Sequence, residues 1–259
     1  YIKHYPLRNN FFDLKEKIAI PLLGTRGCPY SCFHYCTYPL QQGRKVRARS
    51  TQNIVDEIQH WKKIGINKFV FRDPVFSINK KHTVQLCEEI IRKKLNISFM
   101  AETHLNNLDD EMIELLRAAG LELVYVGIES SDGDVLKDMK RFTIEEDKQF
   151  NVIKKCEKKG IKVKTMFILG NPKDTEDTIK ATIKYAQFLP SLYAQFSVFT
   201  PYPGTPVYEN YKNLITETKL ENFNQYNLTF KHNFLSSEKI NELKSLSYYK
   251  YYFNFKKVI

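Results

Sequence analysis

The sequence predicts an α/β chain: an open, partial (β/α)6 barrel of parallel strands followed by a C-terminal helical extension. Two observations carry this. Strand-length apolar runs alternate with helical patterns six times along the 259 residues, and strict alternation means parallel strands joined by crossover helices. The residues with chemical potential also fall at the C-terminal ends of those strand patterns, where such architectures place their function. Right-handed crossovers curl the strands towards a barrel, with a flat doubly wound sheet as the structural alternative.

Each element has a local reason. IAIPLLGTR (18–26) reads as the first strand, running into a cysteine-rich loop. STQNIVDEIQHWKKIG (50–65) opens on Ser50 as N-cap, carries apolar residues at 54, 55, 58 and 61, and stops at Gly65; that is a helix. NKFVFRD (67–73) is a buried strand and NKKHTVQLCEEIIRKKL (79–95) a helix. ISFMAE (97–102) leads into LDDEMIELLRAAG (108–120), with Gly120 at the C-terminal stop. LVYVGIES (123–130) precedes a short helix around 132–138 and a longer one over 144–160. IKVKTMFILG (161–170), the helix DTEDTIKATIKYAQFL (174–189) and the sixth strand AQFSVFT (194–200) complete the alternation. After GTPVYENY (204–211) the chain turns polar and aromatic, then closes with an amphipathic helix over 236–255. Its tyrosines and phenylalanines are expected to pack on the barrel, since aromatic stripes at helical spacing are core-forming. The core domain is therefore expected over 1–210, with its cysteine loop at 24–39, and the extension over 211–259.

Composition narrows the class. Apolar residues make up 42% and charged residues 27%, as in soluble globular chains. No apolar run approaches the roughly 20 residues needed to cross a bilayer. No signal peptide is visible, and the chain opens YIKHYPL without a Met, as an excised piece of a longer protein would. The net charge of +11 comes mostly from lysines in short runs such as KKCEKK (154–159), which read as solvated helix faces. No dense arginine stripe favours a nucleic-acid partner.

Five cysteines in an apparently unexported chain argue against a disulfide framework. Cys87 and Cys156 each stand alone on a helical pattern and read as core thiols. The other three fall within nine residues of GTRGCPYSCFHYCTYP (24–39). A zinc site could recruit His34 beside Cys28, Cys32 and Cys36, but structural zinc generally draws ligand pairs from two separated segments. An iron–sulfur cube suits three clustered thiolates better. No fourth cysteine has suitable spacing, so one iron is left open to a reacting molecule.

Five stretches now point the same way: GTRGCPYSC, FRDPVF, GIESSDGDVLKDMKRFT, MFILGNPKDT and TPYPGTP. Together they resemble the radical S-adenosylmethionine enzymes, along most of the chain. The resemblance implies a six-unit partial barrel and a [4Fe–4S] cluster whose open iron chelates S-adenosylmethionine. It also implies reductive cleavage to a 5′-deoxyadenosyl radical. Cys28, Cys32 and Cys36 resemble the cluster ligands, and Tyr35 the aromatic residue whose backbone lies near the adenine. Glu102 is similar to the acid that meets the methionine amino group. Glu129, with Ser130 beside it, takes the place of a polar residue that binds the ribose hydroxyls. Arg141 resembles the arginine that pairs with the methionine carboxylate, where a planar fork suits. Asp73 stands near the family's second-strand polar motif. No residue is assigned a catalytic role of its own.

One departure matters. The family's usual spacing is Cys-x3-Cys-x2-Cys, whereas three residues separate Cys32 from Cys36. The expectation is that the loop absorbs the added residue by bulging or twisting and that the cluster still forms.

The TRGCPYSC lead-in, the GIES strand and the tyrosine-rich closing helix resemble cobalamin-binding radical enzymes of the oxidative cyclase and radical methyltransferase type. This implies an N-terminal cobalamin-binding domain in the full-length parent, with cobalamin as its cofactor. It further implies a small-molecule substrate, an electron donor such as flavodoxin or ferredoxin, and a reducing cytoplasm. Two alternatives stand beside it. One is a methylthiotransferase acting on tRNA or a ribosomal protein, which would bring a second cysteine triad upstream and an RNA-binding barrel downstream. The other is a non-catalytic cluster- or zinc-binding module.

Overall fold

The computed structural model describes residues 19–253. Ile18 of the expected first strand, the rest of 1–18, and 254–259 with the end of the expected closing helix lie outside the described residues. The order is β1 (Ile20–Leu22), β2 (Thr25–Arg26), α1 (Tyr38–Gln42), β3 (Arg47–Ala48), α2 (Thr51–Lys63), β4 (Lys68–Phe71), α3 (Lys80–Arg92) and β5 (Ser98–Thr103). Then come α4 (Asp110–Ala119), β6 (Leu121–Glu129), α5 (Gly133–Asp138), α6 (Glu146–Lys158), β7 (Lys162–Leu169), α7 (Glu176–Phe188), β8 (Tyr193–Val198), α8 (Pro206–Tyr211) and α9 (Ser237–Tyr252). Six strands form one sheet in the order β1-β4-β5-β6-β7-β8. Each strand of this sheet lies beside the sheet strand before it in the chain, as short connections between consecutive elements favour.

Helix ends follow the local chemistry. Ser50 caps α2 by accepting from Asn53 N, and Asp109 caps α4 by accepting from Met112 N. Gly120 ends α4 at φ 106°, where an added Cβ would lie 2.1 Å from the Ile97 carbonyl oxygen. Only glycine meets both demands.

The expected first strand is corrected. The segment 18–26 contains two short strands rather than one: β1 joins the sheet beside β4, whereas β2 pairs antiparallel with β3 in a separate ribbon. The cause is Asp73, whose carboxylate accepts from Gly24 N (2.8 Å), Thr25 N (2.5 Å) and Thr25 Oγ1 (2.6 Å). These bonds take the chain out of the sheet after Leu22. The stretch 204–211, for which the sequence predicts no element, carries α8, started by Pro206 at N1 with Thr205 as cap.

The chain forms two compact units. The first comprises the described residues up to Arg26 with Val46–Tyr125 and Lys155–Lys162. Its core includes Phe71, Phe76 and Phe99, with ring centroids 4.6 to 5.7 Å apart. The second comprises Gly27–Lys45, Val126–Lys154 and the described chain from Val163 onward. There Phe167 and Phe196 stack at 5.2 Å. Helix α9 packs on β8: Tyr251 is buried, and the Tyr248 and Tyr252 hydroxyls donate to the backbone carbonyls of Phe196 and Ala194. Tyr249, on the same helix, and Phe253, its C-cap, are exposed. Cys87 and Cys156 are core thiols, each pushed up to about 12 by burial. Among the described residues, no helix is long and apolar enough to cross a membrane.

Candidate cluster and cofactor site

The cysteine loop is held before any ligand arrives. Gly27 enters it at φ 93°, and a Cβ there would lie 2.1 Å from the Lys45 carbonyl oxygen. Cys28 N donates to the Gly43 carbonyl at 3.1 Å, and the Arg44 guanidinium donates to the Pro29 carbonyl at 2.7 Å. A 3-10 turn spans Ser31–His34, and Cys36 N donates to the Cys32 carbonyl at 3.0 Å. Cys32 and Cys36 thus stand at i and i+4 across one hydrogen-bonded turn.

The donor chemistry of the loop fits an iron–sulfur cube. Cys28 and Cys32 are buried and Cys36 half-buried. Among the described residues, no three His, Cys, Asp or Glu side chains gather as they would around a single ion. A cubane makes a different demand, because its thiolates ligate separate irons. His34 is buried with its Nδ1 unpartnered, and burial pushes its imidazole below its ordinary pKa.

The GIES-to-Arg141 stretch meets this loop through one guanidinium. Helix α5 ends in a Schellman turn: Lys140 adopts φ 51°, Lys140 N donates to Lys137 O, and Arg141 N donates to Leu136 O. The turn reverses the chain and directs Arg141 inward. Its guanidinium donates to the Gly127 carbonyl at 2.9 Å, approaches Cys32 Sγ at 3.9 Å, and faces Glu129 Oε1 at 3.5 Å. Ser31 reinforces the union by donating its hydroxyl to the Lys140 carbonyl at 2.9 Å.

Glu129 sits in strained backbone. Its φ is +70°, and Ser130 N donates to the Ile128 carbonyl at 3.0 Å, which is a γ-turn in its rare positive-φ form. A non-glycine residue held there costs about 1–3 kcal/mol. Gly127 makes the arrangement feasible, since a Cβ on it would lie 2.2 Å from Glu129 Oε1 and 2.8 Å from the Arg141 guanidinium.

The charges set one another. Burial raises the Glu129 carboxyl, opposed by the Arg141 charge and a hydrogen bond from the Tyr35 hydroxyl. Burial by itself would lower Arg141, but Glu129, Tyr35 and Cys32 outweigh it and hold the guanidinium firmly protonated. Cys32 is raised by burial, with Arg141 pulling the other way. Tyr35, its ring centroid 6.2 Å from Phe199, is raised by burial and then by Glu129.

The structure therefore brings Cys32, Tyr35, Glu129 and Arg141 into one network. Ser130 is buried beside it, but its hydroxyl is engaged with Thr182 (3.2 Å) and accepts from Asp132 N (3.1 Å). Asp73 and Glu102 belong to the first unit. Asp73 spends both carboxylate oxygens on the Gly24–Thr25 turn. Glu102 is half-buried at the end of β5, and its carbonyl accepts from Phe76 N at 2.8 Å. Sequence reasoning missed Gly127 and Ser31, which carry no motif signal of their own. It also missed four arginines that line one cavity of the first unit, Arg26, Arg47, Arg49 and Arg72; the run RKVRAR (44–49) was a visible sign of them.

The family model described as the Radical SAM superfamily matches residues 22–186, which hold the cysteine loop, Glu129 and Arg141. A bacteriochlorophyllide d C-12(1)-methyltransferase of Chlorobaculum tepidum is 31% identical over 232 residues, covering 88% of this chain and 50% of that protein. An anaerobic magnesium-protoporphyrin IX monomethyl ester cyclase of Rubrivivax gelatinosus is 28% identical over 222 residues, covering 84% and 38%. The chain thus spans half or less of the length of these relatives. Among solved structures, the radical S-adenosylmethionine methyltransferase TsrM from Kitasatospora setae, with cobalamin and a [4Fe–4S] cluster bound, superposes with a TM-score of 0.70. That match, at 23% identity, covers 75% of this chain and 39% of TsrM, and it shows the fold: six parallel strands in a partial TIM-barrel-like core with a C-terminal helix. The chain belongs to the radical SAM superfamily, whose members rely on a [4Fe–4S] cluster and S-adenosylmethionine.

Proposed function

We propose that this chain is the core of an enzyme that binds its cluster through Cys28, Cys32 and Cys36 and cleaves S-adenosylmethionine reductively. The reaction served is cobalamin-linked methylation, or ring or C–H modification, of a small molecule. The observation that carries the reading is the Arg141 guanidinium, set 3.9 Å from Cys32 Sγ and 3.5 Å from Glu129. A cationic fork beside a cluster ligand suits the carboxylate of a molecule that must also reach the open iron.

When bound, the cluster supplies the electron that breaks the sulfonium bond and leaves a 5′-deoxyadenosyl radical. The residues of the chain bind and orient. Arg141 holds the methionine carboxylate, Glu102 accepts from the amino group, and Glu129 with Ser130 lies on the ribose side. The Tyr35 hydroxyl orients the Glu129 carboxylate while its backbone lines the adenine. Asp73 acts one step away, by fixing the turn that leads into the cysteine loop.

The methyltransferase and cyclase relatives, and the cobalamin carried by TsrM, support the branch. On this reading residues 1–210 form the barrel core and 211–259 its extension, with a cobalamin-binding domain in the parent protein. An electron donor such as flavodoxin or ferredoxin completes it. The test is 5′-deoxyadenosine formation by anaerobically reconstituted protein given dithionite and S-adenosylmethionine, beside Cys36→Ala. Product from the unaltered chain alone is expected. Iron bound without product would reduce the chain to a cluster-binding module.

A further inference from the structure

The first unit holds a cavity of about 570 Å³ whose lining combines four arginines with apolar residues. We propose that it is a binding site for an anionic small molecule carrying two or more carboxylate or phosphate groups on an apolar frame. The lining includes none of the three cysteines and none of Tyr35, Glu129 and Arg141, and the inference does not rest on the function proposed above.

Charge comes first. Arg26, Arg47, Arg49 and Arg72 line the cavity against a single acid, Glu57. Glu57 is taken by Arg49 at 2.7 Å, and Arg49 also donates to Asn53 and to the Leu23 carbonyl. Arg49 is therefore a strut of the wall, which leaves Arg26 and Arg72 as the arginines of the lining that are not spent on it. Arg26 and Arg72 make no side-chain hydrogen bond or ion pair among the described residues.

Placement comes second. Arg26 and Arg47 stand directly opposite each other across the β2–β3 ribbon. Like charges at cross-strand partners repel and destabilise the pair, and an anion between them would reverse the sign. The wall bearing them is rigid. Asp73, 1% exposed, pins Gly24 and Thr25 with three hydrogen bonds, and a Cβ on Gly24 would lie only 3.1 Å from Asp73 Oδ2. Arg72, one residue earlier, is fixed by its own N–H donating to the Leu22 carbonyl at 2.8 Å. Guanidinium forks on fixed backbone suit planar or tetrahedral oxyanions.

Shape comes third. Pro21 and Leu22, on the outermost strand of the sheet, and Leu23 just after it supply apolar lining. A concave site of a few hundred cubic ångströms takes a small molecule, whereas a polynucleotide or membrane would ask for an extended basic face.

The test is calorimetric titration of the cluster-reconstituted chain at low salt with pyrophosphate, and separately with propane-1,2,3-tricarboxylate. These arms distinguish a phosphate from a carboxylate ligand. At least one probe binds the unaltered chain, and Arg26→Gln/Arg47→Gln weakens it by about tenfold or more, which is about 1.4 kcal/mol. Arg72→Gln, an exposed change outside the ribbon, weakens it in the same direction and decides the matter if the double variant does not fold. The control Lys148→Gln/Lys158→Gln removes the same charge from the exposed face of α6 and leaves affinity within about twofold. Equal loss in the control, no binding of either probe, or displacement of the probe by S-adenosylmethionine would each overturn the proposal.

Discussion

Glu129 and Arg141 form a buried ion pair, 3.5 Å apart, with 10% and 14% of their side chains exposed. Twelve residues of sequence separate them, and three local devices bring them together: the γ-turn at Glu129, the Schellman turn at Lys140 and the missing side chain at Gly127. A buried pair of this kind adds little net stability by itself. Its presence beside Cys32 accords with the ligand-binding role proposed above.

Breaking the pair from one side should be costly. Arg141→Met leaves Glu129 charged, buried and uncompensated, for a loss of about 3–5 kcal/mol in urea denaturation. Glu129→Gln/Arg141→Met should recover part of that loss. Strictly additive costs would mean the two residues do not interact.

Loop entry should depend on Gly27 for a reason that Gly65 does not share. Both have positive φ, but only at Gly27 would a Cβ meet backbone, whereas at Gly65 nothing lies within 4 Å. Gly65→Ala should cost about 1 kcal/mol in thermal or urea unfolding. Gly27→Ala should also lower the iron bound per chain after anaerobic reconstitution. Equal iron content in the two variants would count against a preorganised loop.

Asp73→Ala leaves the Gly24 and Thr25 N–H groups without their acceptor. A buried donor left unsatisfied costs about 1–3 kcal/mol, so chemical denaturation should register several kcal/mol in total. Asp73→Asn keeps one acceptor oxygen and should fall in between. Wild-type stability in Asp73→Ala would mean the turn holds itself.

Stability should also carry a pH signature from Asp174. Burial pushes this carboxyl up to about 6, although Gly170 N and Asn171 N both donate to it. Because the folded value lies above the unfolded one, the protonated form stabilises the fold. That contribution is complete below about 4 and is lost as pH rises through about 6. Thermal unfolding between these limits should show the wild type losing stability as pH rises, and Asp174→Asn losing less. Parallel profiles would assign the slope to other groups.

Much of the fold was legible in the sequence because its signals are local. Ser50 and Asp109 mark helix starts, Gly120 marks a stop, and the apolar period separates β5 from α4 without reference to anything distant. The cysteine triad was equally plain, since its three thiols lie within nine residues. Strands β2 and β3 were not visible, because two-residue strands have no period and their pairing spans about twenty residues of chain.

The sequence by itself determined the alternation of strands and helices, the three thiols, and the identities of Glu129 and Arg141 as residues worth watching. Tertiary structure decided what those residues face. It turned Cys32 to Cys36 into one helical turn, gave Asp73 to the Gly24–Thr25 turn, and gathered Arg26, Arg47 and Arg72 around one cavity. The physical reason is range. Capping and periodicity act within a few residues, whereas hydrogen bonds and charges act between whatever packing brings within a few ångströms, however far apart in the chain.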